Sequence, residues 1–311
     1  MAELMDIIAS FLASSLRQAA PLSLAALGVA YAEKAGILNI GEEGIMLSGA
    51  FFGFIAAYFS GSLFVGIISG ALGGILISMI HAFMCIKVKA NQTIVGLALN
   101  FFTLGLTSFL FLLVFGQNTK LPSVASLNPI TLPVLSKIPV LGPVFFSQNI
   151  LIYILYLAII VFFVVFYKTE WGVRLTAVGE NPRAADSAGL GVNATRYVSC
   201  IINGVFGGLG GAYITLAQLG YFQEDIVSGK GYIALVVVIL GRHNPVFILL
   251  SAMLIGFAES LQFSLQTMGI PLPSQAFSML PYLIAVIVLL LSAGKSSSPA
   301  FLGIPYERDK R

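Results

Sequence analysis

The chain has 311 residues, 58% of them hydrophobic and only 9% charged, with a formal net charge of +3 and a mean hydropathy of +0.97. Soluble domains carry roughly 25% charged residues, so a water-soluble globular enzyme is excluded, as is a disordered chain, which needs low hydrophobicity and high charge. The small positive charge forms no basic stripe, which speaks against nucleic-acid binding, and the apolar stretches are continuous rather than alternating, which speaks against a transmembrane β-barrel.

A membrane helix needs about 20 apolar residues, and hydropathy places nine candidates along the chain. They cover about 10–32, 39–59, 62–86, 92–116, 149–167, 194–217, 229–242, 245–266 and 273–293. The seventh is too short to cross a ~30 Å core as a straight helix, so it is expected to be a broken or buried element held by neighbouring protein. The fold expected is an all-α integral membrane permease domain over 1–311. Its four spans, a central fifth and four more spans make an inverted 4+1+4 arrangement, the block symmetry that inverted-repeat transporters show. Met1 opens no positively charged leader with a cleavage-like end, so no removable signal peptide is expected.

Placing the 87–91 turn in the cytoplasm puts Lys34, Lys87, Lys89, Lys168, Arg174, Arg183, Arg196, Arg242, Lys295, Arg308, Lys310 and Arg311 inside. Lys120, Lys137 and Lys230 then lie outside, and Arg17 falls early in the first span. Basic residues favour the cytoplasmic side, so the expected topology has the N-terminus outside and the C-terminus inside. Two loops stand out: 117–147, outside, with Pro122, Pro129, Pro133, Pro139 and Pro143, and 168–193, inside. Proline at that density resists helix and predicts a shaped external platform.

Two segments carry the functional reading. The first, Ala35–Ala50, has Gly36, Gly41, Gly44 and Gly49 around the polar Asn39, Glu42 and Glu43. One reading is a capped helix start, with acids complementing the helix dipole; the other is a broken helix lining a solute pathway. The second lies in the 168–193 loop, where Asn181 can cap a short helix with Pro182 in its first position. That helix has a small-residue face (Ala184, Ala185, Ala188) suited to a partner's groove, while its merely alanine apolar side argues against a membrane-surface helix.

With these segments on view, the sequence resembles the permease subunits of bacterial ABC importers for branched-chain amino acids, simple sugars and nucleosides. Three stretches carry the likeness: Ala35–Ala50, Val178–Ala185, and Gly229–Ala234 with Leu240–Pro245. The branch most resembled is that of guanosine-type nucleoside importers, with a fold like vitamin B12 and ribose importer permeases. The resemblance implies a translocation subunit coupled through Gly179, Glu180, Asn181, Pro182, Arg183, Ala184 and Ala185 to a separate ATPase. It also implies a second permease subunit, heterodimer favoured over homodimer, and an extracellular substrate-binding lipoprotein. ATP and Mg would then sit on the partner ATPase, with no cofactor on this chain. Gly294-Lys295-Ser296 imitates the end of a phosphate loop, but the required first glycine is Leu289 and no strand precedes it.

Smaller signals keep two readings each. Gly66, Gly70 and Gly74, with Gly204/Gly208 and Gly207/Gly211, fit close helix packing or a subunit interface. Asn100, Asn203, Glu259, Gln262 and Gln266 are polar within spans, and the last three share one helix face. A carboxylate there costs roughly 2.5 kcal/mol or more on insertion scales, so that face is expected to look at protein or water. Asn39, Glu42, Glu43, Asn100, Asn203, Glu259 and Gln262 are the candidate pathway residues. Cys85 and Cys200 have no CxxC partner, and His81 and His243 lie far apart, so neither a metal nor a catalytic site is expected. A simple-sugar importer and an ATP-independent secondary transporter are the alternatives; a membrane-embedded enzyme lacks a carboxylate pair or Ser/His arrangement.

Overall fold

A computed structural model describes residues 2–116, 121–267, 273–291 and 298–307. Lys120, Lys295, Arg308, Lys310, Arg311 and the phosphate-loop imitation at 294–296 lie outside the described residues, as do 117–120 of the proline-rich loop and the end of the ninth expected span.

The chain is almost entirely helical. Helix α1 (Ala2–Lys34) begins earlier than the hydropathy predicts and continues through Pro21. It is followed by α2 (Glu42–Ser60) and by α3 (Leu63–Ala82), which runs on into a π-helical turn over Phe83–Lys87. Helix α4 (Gln92–Phe115) starts at Asn91, whose side chain accepts from the Ile94 N–H. The proline-rich loop folds a two-residue hairpin, β1 (Ile130–Thr131) on β2 (Ser147–Gln148), around the short α5 (Leu141–Phe145). That helix departs from the expectation that proline excludes helix: Pro143 is its third residue, where a missing N–H costs no intrahelical bond.

Helix α6 (Ile150–Lys168) leads to α7 (Glu170–Glu180) and α8 (Pro182–Ser187). Then come α9 (Val192–Tyr213), extended by a π-helical turn over Ile214–Leu219, α10 (Lys230–Gly241), α11 (Pro245–Thr267), α12 (Ser274–Ser278) and α13 (Leu280–Leu291). Among the described residues six helical segments are long and apolar enough to cross a membrane, and α10 and the 275–290 region are shorter apolar helices.

Large apolar side chains cover the outside, among them Phe64, Leu72, Phe101, Leu113, Leu157 and Leu290, while Glu42, Asn39, Asn203 and Arg196 are buried. This inverts the usual placement of polar groups on soluble proteins. It follows from a lipid surround, where a polar group finds partners only inside the protein.

Helix α1 threads the centre, with Leu16 through Ala30 forming much of the core. Around it α2, α3 and α9 cross at backbone distance. A Cβ added at Gly211 would overlap the Met46 carbonyl oxygen of α2, and one at Gly74 would overlap the Gly204 carbonyl oxygen of α9. Gly49 and Gly70 face Gly208, and Gly53 faces Gly66. The glycine spacings in α3 and α9 therefore serve packing within one chain.

Gly211→Ala is expected to destabilise the detergent-solubilised chain by about 1–3 kcal/mol or more, the usual cost of overpacking. Gly105→Ala, where an added Cβ meets nothing within 4 Å, is the control. Thermal melts of the two variants beside wild type check this, and an unchanged Gly211→Ala midpoint would contradict the close crossing.

Candidate functional site

Between α1 and α2 the chain does not turn back at the rim but climbs into the bundle. The Leu38 N–H bonds to Gln92 Oε1 at 2.7 Å, at the first turn of α4. A Cβ at Gly96 would lie 2.7 Å from Gly41 N, and the Gly44 N–H bonds to Asn100 Oδ1 at 2.8 Å. From Gln92 to Asn100 the helix rises about 12 Å. Helix α2 therefore begins far inside, and its unsatisfied N–H groups and first two carboxylates need partners there.

Those partners come from three other helices. The Asn39 amide donates to Asn203 Oδ1 on α9 at 3.0 Å, and the Asn203 amide donates to Glu42 Oε2 at 2.7 Å. Asn39 Oδ1 in turn accepts from the Gly41 N–H. The Glu43 carboxylate receives the N–H groups of Gly229 and Gly231, each at 2.7 Å, at the start of α10. It thus sits at the positive end of that helix, and a Cβ at Gly231 would lie 2.8 Å from Glu43 Oε2. Asn100 donates to Ile40 O and to the Tyr232 hydroxyl on α10. Glu42 Oε1 is buried without a hydrogen-bond partner.

Two short helix starts, those of α2 and α10, thus meet inside the bundle. Of the predicted pathway residues, Asn39, Glu42, Glu43, Asn100 and Asn203 come together in one connected set. Glu259 and Gln262 lie apart from it. They line a cavity of about 190 Å³ between α10, α11 and the 274–291 segment. Glu259 takes both oxygens to Lys230 Nζ, at 2.8 and 2.7 Å, and Gln262 donates to Ser278 Oγ at 3.3 Å.

The distribution of basic charge places Lys230 on the external side, at the start of the seventh expected span. The structure makes it the first residue of α10 and the counter-ion of Glu259. The signal was available: a carboxylate in an apolar span needs a charged partner. Also missed was the pair between His243 Nε2 and Glu33 Oε2, 2.6 Å apart, which joins the far end of α10 to α1.

The Gly179–Ala185 segment lies at the opposite end of this connection. A Cβ at Gly179 would overlap the Lys34 carbonyl oxygen, so α7 ends directly on the turn that leads to Asn39. Asn181 Oδ1 accepts from the Ala184 N–H with Pro182 in the first position of α8, the capping the sequence predicts. Pro182 and Ala185 are buried, the latter against Val178 and Val192, while Arg183 and Ala184 are exposed.

The segment 298–307 lies across the same end. Phe301 N–H bonds to Gly179 O, Gly303 N–H to Gly36 O, and Ala300 N–H to Glu180 Oε2. Arg196 donates to Ala35 O and Ile304 O, and Lys89 pairs with Glu307 at 3.8 Å. Among the described residues no group of three or more His, Cys, Asp or Glu side chains is placed to hold a metal ion.

The family described as "Branched-chain amino acid transport system / permease component" matches residues 11–289. The guanosine ABC transporter permease protein NupQ of Bacillus subtilis is 35% identical, over 99% of this chain and 100% of its own length. The nucleoside ABC transporter permease protein NupC of Lactococcus lactis is 37% identical, over 96% of each. A solved metal-chelate type ABC transporter in an inward-facing conformation aligns with a TM-score of 0.50 and 17% identity, over 91% of this chain and 82% of that one; this likeness concerns the fold alone.

Asn203→Ala is expected to strip Asn39 and Glu42 of their shared partner and to lower stability by about 1–3 kcal/mol, the usual cost of unsatisfied buried polar groups. The melting midpoint of the purified chain reads this directly, and a midpoint equal to wild type would show the chain of contacts to be dispensable.

Proposed function

The chain belongs to the family of permease components of branched-chain amino acid transport systems, and on that footing we propose that it is the nucleoside-translocating permease of an ATP-driven importer. One observation carries the substrate class: near full-length similarity at 35% and 37% identity to permeases named for guanosine and nucleosides.

The proposed pathway residues are Asn39, Glu42, Glu43, Asn100, Asn203, Glu259 and Gln262. Amide and carboxylate groups suit a neutral, polar, hydrogen-bonding solute. In the described conformation the first five are closed upon one another, so passage requires α2 to separate from α9 at the Asn39–Asn203–Glu42 contacts and from α10 at the Glu43 contacts with Gly229 and Gly231. ATP with Mg is bound and hydrolysed on a partner subunit, a second permease completes the translocation unit with heterodimer favoured, and an extracellular lipoprotein delivers solute. The proposed membrane arrangement counts α1–α4, α6, α9, α10, α11 and α13 as nine segments in a 4+1+4 order, with the N-terminus outside and the C-terminus in the cytoplasm. The cytoplasmic loop 168–193 carries the coupling residues Gly179–Ala185, and 117–147 forms the external platform.

The exposed Arg183 and Ala184 on a capped, anchored α8 support the coupling role. A push on that helix reaches the Lys34–Gly36 turn through Gly179, and from there Asn39. Alternating access then follows from differential contacts of the partner ATPase in its two states.

Cells lacking the chain are expected to lose uptake of radiolabelled guanosine and to retain ribose uptake; equal guanosine uptake with ribose lost would replace the nucleoside by a sugar. Ala184→Asp is expected to lower uptake about tenfold or more, because a buried or unpaired charge at a docking surface costs several kcal/mol, and to release the ATPase during copurification. Transport by the purified chain driven only by an ion gradient would instead make it a secondary transporter.

A further inference from the structure

We infer that the segment 300–304 is the tie by which α7 and α8 pull on the turn between α1 and α2 as well as push it. The segment thereby positions that turn through the ATP-driven cycle. This inference rests on the importer reading above and adds a positioning element to it.

The junction that the segment spans transmits compression well and tension poorly. Gly179, at the end of α7, rests on the backbone of the turn: a Cβ added there would overlap the Lys34 carbonyl oxygen and lie 3.2 Å from Gly36 N. Such a contact resists approach steeply, but its attraction is weak per atom pair and undirected. Among the described residues no hydrogen bond runs directly from 179–185 to 35–39. The bond from Trp171 Nε1 to the Tyr31 hydroxyl joins the first turn of α7 to α1 instead. The charges of Lys34 and Glu180 attract across the junction, beyond ion-pair contact. Alternating access is a cycle between two states, so the turn must be drawn back as often as it is pushed.

The segment 300–304 supplies directed bonds to both sides. On the α7 side, the Ala300 N–H donates to Glu180 Oε2 at 3.2 Å and the Phe301 N–H to Gly179 O at 3.0 Å. On the other side, the Gly303 N–H donates to Gly36 O at 3.1 Å. Arg196 of α9 clasps the same place, donating to Ala35 O and to Ile304 O, each at 3.2 Å. Phe301 and Gly303 are two residues apart, at most about 7 Å of chain, so the tie is short. It is also taut. The Leu302 N–H bonds back to Pro299 O and the Ile304 N–H to Phe301 O, and Gly303 has a φ of +78°, which a glycine adopts without strain. Just beyond, Tyr306 packs against the cluster that holds Ala185 of α8 in place. A displacement of α7 and α8 in either direction therefore reaches Gly36, three residues before Asn39.

The test uses the assembled importer in proteoliposomes, with its ATPase, partner permease and receptor. The quantity read is guanosine imported per ATP hydrolysed, which a mere loss of folded complex does not change because both rates then fall together. A chain ending at Ser297 is expected to keep its ATPase on copurification and to go on hydrolysing ATP. Its import per ATP is expected to fall about fivefold or more, the scale of one or two lost hydrogen bonds. An unchanged ratio overturns the inference, and so does release of the ATPase, which would make the segment part of the docking face.

A second pair of variants separates the backbone tie from side-chain packing. Phe301→Pro removes the N–H that bonds Gly179, whereas Phe301→Ala keeps it. The proline variant is expected to lose clearly more import per ATP than the alanine variant, and equal ratios overturn the inference. Wild-type importer that takes up ribose and no guanosine changes the solute in which the ratio is read, not the outcome expected of it. Wild-type importer with no ATP-driven uptake of either overturns the importer reading itself, and the inference with it.

Discussion

A helix that starts inside a protein surrounded by lipid must find partners there for its first N–H groups and for any charge it carries, because no water is at hand to supply them. Helix α2 is such a helix, and it begins with two carboxylates, both buried. Glu42 is met by Asn203 of α9 and Glu43 by the first N–H groups of α10. The placement of α9 and α10 around α2 answers this requirement. It makes the break between α1 and α2 a fixed feature, since any shift of one helix leaves a buried carboxylate or amide unpaired.

That arrangement is possible only because the backbones approach so closely. Glycines on α2, α3 and α9 leave no room for a Cβ at the crossings, and in lipid such close contact replaces the hydrophobic drive that holds soluble helices together. Rigid packing here and hydrogen bonding at the α2 start reinforce one another: the crossing of α2 on α9 brings Asn203 within reach of Glu42, and Gly207 lies directly against Glu42 Oε1.

The same region is joined to both ends of the molecule. Toward the α7–α8 end, the turn at Lys34–Gly36 lies under Gly179 and under residues 301–303, and Asn39 follows within a few residues. Toward the other side, Glu43 leads through Gly229 and Gly231 to Lys230 and the cavity at Glu259. A contiguous set of packed and hydrogen-bonded groups therefore runs from the exposed face of α8 to the cavity, the kind of physical path through which two sites can bias one another.

The sequence alone determined the class. Continuous apolar stretches leave helices in a membrane as the only economical outcome, and the expected spans agree closely with α2, α3, α4, α6, α10 and α11. Local chemistry was legible as well: Asn181 with Pro182 writes its own helix start, and the short seventh stretch announces an element that cannot cross alone. Pairings between distant residues were not legible. Nothing in the letters joins Asn39 to Asn203, Glu33 to His243, or Lys230 to Glu259, because each is a contact across more than twenty residues of chain whose distance is set by helix crossings. Lys230, at the outer start of the seventh stretch, carries no sign of its partner for the same reason. Hydropathy reads a residue's neighbours in sequence, whereas the need of a buried charge is met by a neighbour in space, and only the tertiary structure supplies that neighbour.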